Sequence, residues 1–239
     1  MSPSPMRILT GRRGASGPSR SPAGAGPRRR AAGFTLVELL AVIAIITLLA
    51  GLLVPTLAAV HAAALRAQTR VQFSQWSAAV EQFRQEYGVY PGLGVDGRLA
   101  TAADAVQFAR TLGGRNPDGT AVASAADLNG NLKRLAFCAL TPHDLLDPDR
   151  PAGVPDYSGN ELLCDAFGNT EIGVVVDRNG DGFIRLADDG PVPAVRAART
   201  GAAFAPADAD LPPGGVRAGV LFYSAGRGTC QADMVLSWK

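Results

Sequence analysis

The sequence predicts an α+β protein: one long N-terminal helix whose first half crosses a membrane, packed through its second half on a small C-terminal antiparallel β-sheet. Three observations predict this. A run of 22 residues without a charge extends from Leu39 to Val60, long enough to span a bilayer as a helix. Apolar residues then follow at Val60, Ala64, Ala67 and Val71, and at Phe73, Trp76, Val80, Phe83 and Tyr87. Steps of three and four mark one face of an amphipathic helix. From Leu162 onward, short apolar runs alternate with turns rich in Gly, Asn and Asp, the pattern of hairpins.

Charge divides the chain before any element is placed. Residues 1–33 carry seven Arg and no acid among Gly, Pro, Ser and Ala, a composition too poor in apolar side chains to build a core. The other 206 residues hold 16 basic and 21 acidic side chains, a balance of about −5, so the overall +2 belongs to the leader. The body has no basic stripe, which argues against nucleic acid as a partner. Basic residues ahead of an apolar run instead predict an N-terminus held in the cytoplasm.

Glu38 stands near the start of the apolar run, in "GFTLVELLAV". Sixteen Leu, Ile, Val or Phe side chains lie between Phe34 and Val60. At roughly 0.3 to 0.6 kcal/mol each they favour insertion by about 5 to 10 kcal/mol, against about 2.5 to 3.5 kcal/mol for one central carboxylate. Insertion therefore tolerates Glu38 without explaining it. A secretory signal has an apolar stretch of about 7 to 15 residues before a small-residue cut site. "AAVHAAA" supplies such a site, but the run is too long. A plain signal anchor has the length and gives Glu38 no partner. A cut after Gly33 would free an α-amino group on Phe34, able to pair with Glu38 in its own or a neighbouring helix, a use for a charge in lipid.

The stretch "GFTLVELLAVIAIITLLAGLLVP" resembles the class III signal of type IV pilins and type II secretion pseudopilins. The match rests on Gly33 before the cut, Phe34 as first mature residue, the following Thr-Leu-Val-Glu-Leu and the late Pro55. The resemblance implies that a prepilin peptidase cuts after Gly33 and N-methylates Phe34. It further implies that Glu38 helps subunits enter a growing filament, and that the fold is type IV pilin-like. The closing "YSAGRGTCQADMVLSWK" is similar to the end of the major pseudopilin. "CDAFGNTE" resembles the pseudopilin stretch Asp-Pro-Trp-Gly-Asn-Pro-Tyr in degraded form, with Ala166, Phe167, Thr170 and Glu171 departing from it.

The elements follow in order. Residues 1–33 form the leader, 34–57 the transmembrane half of the helix and 58–90 its amphipathic half, with Arg66, Arg70, Gln72, Glu81 and Arg84 on the outer side. Pro55 removes one helical hydrogen bond, which predicts a kink or local melting. "YGVYPG" ends the helix, with Gly88 as a left-handed cap and Pro91 just beyond. Residues 91–160 read as a variable insertion, with a capping box at Thr101 and Asp104 opening a helix to about Leu112. "NLKRLAFCAL" is helix or strand, and "DPDRPAGVPDYSGN" a loop. "GLGVDG" has the Gly spacing of a dinucleotide loop but follows a helix, the wrong context. Residues 161–239 form the sheet region. "EIGVVV" and "FIRL" are predicted to pair around "DRNGDG", and "GVLFYS" with "MVLSW" around "AGRGTCQAD".

Two acidic loops are candidates for calcium. Asp177, Asn179, Asp181 and Asp188 fall at positions 1, 3, 5 and 12 of a loop with Gly182 at position 6, spacing that lets oxygens wrap a cation. Asp stands where a bidentate Glu is usual, Arg185 sits at position 9, and a hairpin turn demands the same Asn-Gly and Asp-Gly. The second candidate is the loop before the last strand, which binds calcium in the major pseudopilins; here it holds Arg227 and a single acid, Asp233.

Cys138, Cys164 and Cys230 lack zinc spacing. One disulfide with a free thiol, or three buried thiols, both remain open. His61 and His143 belong to no catalytic constellation, so the sequence predicts no enzyme. The expectation is a pseudopilin-like subunit of a type II secretion pseudopilus. It would pass once through the bacterial inner membrane, its C-terminal domain in the periplasm. Its partners would be other pseudopilins, prepilin peptidase, the inner-membrane assembly platform and lipid. The alternatives are a pilin or minor pilin of a type IV pilus or DNA-uptake system, and a membrane-anchored periplasmic calcium-binding or sensing domain that does not polymerise.

Overall fold

The computed structural model describes residues 33–94, 96–149 and 157–239. The leader as far as residue 32, and the centre of the loop predicted over 147–160, lie outside the described residues. The chain divides into two units at Ala50 and Gly51.

Helix α1 runs Leu36–Tyr87. Thr35 caps its start: its hydroxyl accepts the Glu38 N–H at 3.2 Å, while Oε2 of Glu38 accepts the Thr35 N–H and hydroxyl, both at 3.0 Å. This reciprocal pair is a capping box. The apolar side chains from Leu36 to Leu53 are exposed all round the helix, as a segment whose solvent is hydrocarbon requires. Its hydroxyls bond within the helix, Thr47 to the Ala44 carbonyl at 2.9 Å and Thr56 to that of Leu53 at 2.7 Å. Of the kink or local melting expected at Pro55, local melting does not occur, because α1 continues through that position. Proline in a helix interior costs about 3 kcal/mol, and the helical residues on both sides hold the conformation against it. At the far end Gly88 adopts φ 76° and donates its N–H to Arg84 O at 2.7 Å, the predicted cap.

Within the second unit, α1 buries Thr69, Gln72, Phe73, Trp76, Ala79, Val80 and Phe83. The stripe is real from Phe73 onward, but its predicted first part is not. Val60 and Val71 are exposed, and Gln72 faces inward. The Gln72 amide explains the reversal, donating to Asp144 Oδ1 at 2.6 Å and to the Cys164 carbonyl at 2.9 Å. A polar side chain with two good acceptors can be buried without penalty.

After β1 (Arg98–Leu99) comes α2, Ala102–Gly113. Thr101 and Asp104 form its predicted capping box, and Gly114 closes it at φ 65°. "NLKRLAFCAL" is neither helix nor strand. Its backbone is held from outside, Phe137 and Cys138 donating to Leu112 O at 2.7 and 3.0 Å. Two short strands, β2 (Leu145–Leu146) and β3 (Leu162–Leu163), pair beside it.

The main sheet is antiparallel, in the order β1, β4 (Ile172–Val176), β7 (Val220–Ser224), β8 (Val235–Leu236). A separate pair joins β5 (Val195–Arg196) to β6 (Ala203–Phe204). The pairing of "GVLFYS" with "MVLSW" stands, shortened to Tyr223–Leu236 and Ser224–Val235. The pairing of "EIGVVV" with "FIRL" does not. The neighbours of β4 are β1 on one side and β7 on the other, so neither edge is free. Ile184 forms only an isolated bridge with Val216.

Both faces of this sheet are covered. Ile172, Val174, Phe222 and Val235 join Phe73, Trp76 and Phe108 on the helix side, where Trp76 and Phe108 lie 4.9 Å apart. Val175, Leu221, Tyr223 and Leu236 meet Ile184, Val195, Leu211 and Met234 on the other. Gly173 is essential to the pairing: a Cβ there would lie 2.0 Å from the Tyr223 ring. That ring lies across the glycine, and its hydroxyl donates to Pro193 O at 2.7 Å. All three cysteines are free thiols.

Candidate processing and assembly site

The residues predicted for processing and assembly lie at the head of α1. Gly33, Phe34 and Thr35 precede the helix, and Phe34 is 75% exposed. A Cβ built on Gly33 would meet nothing within 4 Å. The fold therefore makes no steric demand for glycine at this position. A demand for the smallest residue must come from whatever binds the segment.

Glu38 is not unpartnered. Thr35 supplies two donors to its carboxylate, a role absent from the sequence reading although Thr-x-x-Glu before an apolar run is itself the signal for it. Oε2 carries both of these bonds. The carboxylate thus also sits at the positive end of the helix dipole, where negative charge is favoured.

The candidate calcium residues fall into two places, and neither collects oxygens around a centre. Asp177 is buried and turns back on its own loop, accepting Gly180 N–H at 2.7 Å and Gly182 N–H at 2.8 Å. Asp181 and Asp188 both face Arg185, whose guanidinium hydrogen-bonds Asp181 and lies 3.8 Å from Asp188. The arginine holds the Asp181 carboxyl below its ordinary range. Asn179 donates to Asp181 at 3.3 Å. Asp233 is elsewhere, beside Arg66 of α1 at 3.4 Å. Among the described residues no three His, Cys, Asp or Glu side chains group as metal ligands. As a donor set these residues do not fit a calcium ion, which takes about six to eight oxygens. Asp189, absent from the predicted set, contributes to the loop instead by accepting the N–H groups of Arg178 and Arg185, at 2.9 and 2.8 Å.

A capped, wholly exposed apolar helix continuing into a second half packed on a small antiparallel sheet is an arrangement that fits the type IV pilin-like class. Residues 28–54 match the family described as the prokaryotic N-terminal methylation motif. The chain thus carries the class III signal of a processed, methylated, type IV pilin-like protein, and the motif implies prepilin peptidase processing and pilus-like assembly. With one apolar helix of spanning length among the described residues, it indicates a single-pass membrane anchor. No curated protein and no solved structure matches the chain.

Proposed function

We propose that this chain is a pseudopilin-like structural subunit, cut after Gly33, methylated on Phe34 and assembled with other pseudopilins into a periplasmic type II secretion pseudopilus. The first half of α1 anchors the precursor in the inner membrane, and the body lies on the periplasmic side. The assembly platform of that membrane then draws the processed helix into the filament. Chemistry is performed on this subunit by the peptidase rather than by it.

One observation carries the reading: the methylation motif coincides with a glycine that the fold does not need and with a capped acid opening an exposed apolar helix. The likeness of "YSAGRGTCQADMVLSWK" to the end of the major pseudopilin favours secretion over a type IV pilus. Mass spectrometry of the mature N-terminus tests it. N-methylated Phe34 is expected; an uncut leader, or an end near Ala62, would overturn the proposal.

A further inference from the structure

The loop between β7 and β8, residues 225–234, contains one carboxylate, Asp233. Its Oδ2 accepts the Thr229 N–H at 3.1 Å and the Thr229 hydroxyl, while Asp233 N–H donates to Cys230 O at 3.0 Å. Oδ1 faces a charge from far along the chain. Nη2 of Arg66 on α1 donates to it at 3.4 Å and to the neighbouring Ala232 carbonyl at 3.3 Å. The inner edge of this guanidinium, at Nε, is buried. The side chain as a whole is 37% exposed, so it lies along the loop with only this edge out of solvent.

A divalent ion in a loop gathers many oxygens and neutralises their charge. Here the loop's single carboxylate and the Ala232 carbonyl beside it are both already bonded by a guanidinium. We propose that Arg66 is the resident cation of this loop: it neutralises Asp233, satisfies the Ala232 carbonyl and ties the loop to α1, so loop order depends on Arg66 and not on calcium. The 177–188 turn reaches the same solution independently. There Arg185 lies between Asp181 and Asp188. The inference holds whether or not the chain assembles into a filament, because it concerns the packing of α1 on its own sheet.

Arg227, exposed within the loop, supplies the probe. Trypsin cutting after Arg227 releases residues 228–239, which mass spectrometry follows on the full chain in detergent. Cleavage of a folded protein tracks the population of the open form. Arg66→Gln is expected to speed release about threefold, the worth of a partly exposed ion pair. Asp233→Asn should do the same, and the double variant should be no faster than either single one. Arg66→Lys should be intermediate. Millimolar calcium or a chelator should change none of these rates. Release from Arg66→Gln at the wild-type rate, additive effects in the double variant, or protection of any form by calcium would each overturn the proposal. Near-ultraviolet circular dichroism confirms that the variants compared are folded. Should Arg66→Gln not fold, the near-isosteric Asp233→Asn carries the test alone.

Discussion

Burial raises the thiol pKa of Cys138 to about 11 and that of Cys164 to about 12, and the charge of Asp144 acts on both in the same direction. Cys230 is exposed. Because the thiolate is the reactive form, a maleimide at neutral pH should label Cys230 quickly. Cys138, partly buried, should react more slowly, and Cys164 only on unfolding. Peptide mapping of the labelled protein checks this, and fast labelling of Cys164 would contradict its burial. Glu38, by contrast, is exposed and held by bonding alone. Its position was legible in the sequence as an acid in an apolar run, and Thr35 was its nearest unrecognised partner. The capping box is a local motif, three residues apart, so its spacing alone carries it in the sequence. Arg66 and Gln72 were different. Both read as outer-face residues, since their acceptors lie 72 to 167 residues away.

At the scale of elements, legibility followed locality. The two helices, their caps at Gly88 and Thr101, and the strands over 172–176 and 220–224 could be read from spacing and composition. Strand partners could not. β4 and β7 are apolar on both faces, so their sequences carry no alternation to set a register. The turn after β4 resembles a hairpin because Asp177 and Asp189 fold it on its own N–H groups, yet the strand beyond never reaches the sheet. The loop that follows β3 is anchored by a buried carboxylate. Asp165, buried there, accepts four hydrogen bonds: from the Ser224 hydroxyl at 2.6 Å, the Asn169 amide at 2.9 Å, and the N–H groups of Phe167 and Asn169 at 2.9 and 2.8 Å. Burial pushes its carboxyl upward against the pull of those donors. Asp165→Ala strands all four and is expected to cost about 3 kcal/mol or more. Denaturant unfolding of the detergent-solubilised chain measures it; a cost below about 1 kcal/mol would mean that water replaces the carboxylate.

Across the whole molecule, α1 meets two solvents. Its first half exposes Leu, Ile and Val on every side, whereas its second half buries one face against the sheet. This separation yields a test of assembly. Glu38→Ala removes one charge and leaves the apolar run, so membrane insertion should persist or improve slightly. Filament formation with wild-type processing machinery should be lost. Fractionation and crosslinking in cells separate the two readouts, and assembly at the wild-type level would favour a plain anchor.

By itself the sequence determined that the chain carries a processing signal, a membrane-spanning helix with an acid at its head, an amphipathic continuation and short β-strands near the end. These properties reside in composition and in spacings of a few residues, where side-chain chemistry acts directly on the local backbone or on its solvent. Tertiary structure alone decided which strands are neighbours, which helix face is buried, and what the candidate calcium acids face. Those outcomes depend on groups brought together across the chain. Arg66 and Asp233, 167 residues apart, are the clearest case: a carboxylate's spacing predicts that it needs a positive charge, but only the packing of helix against loop decides whether that charge is a metal ion or an arginine.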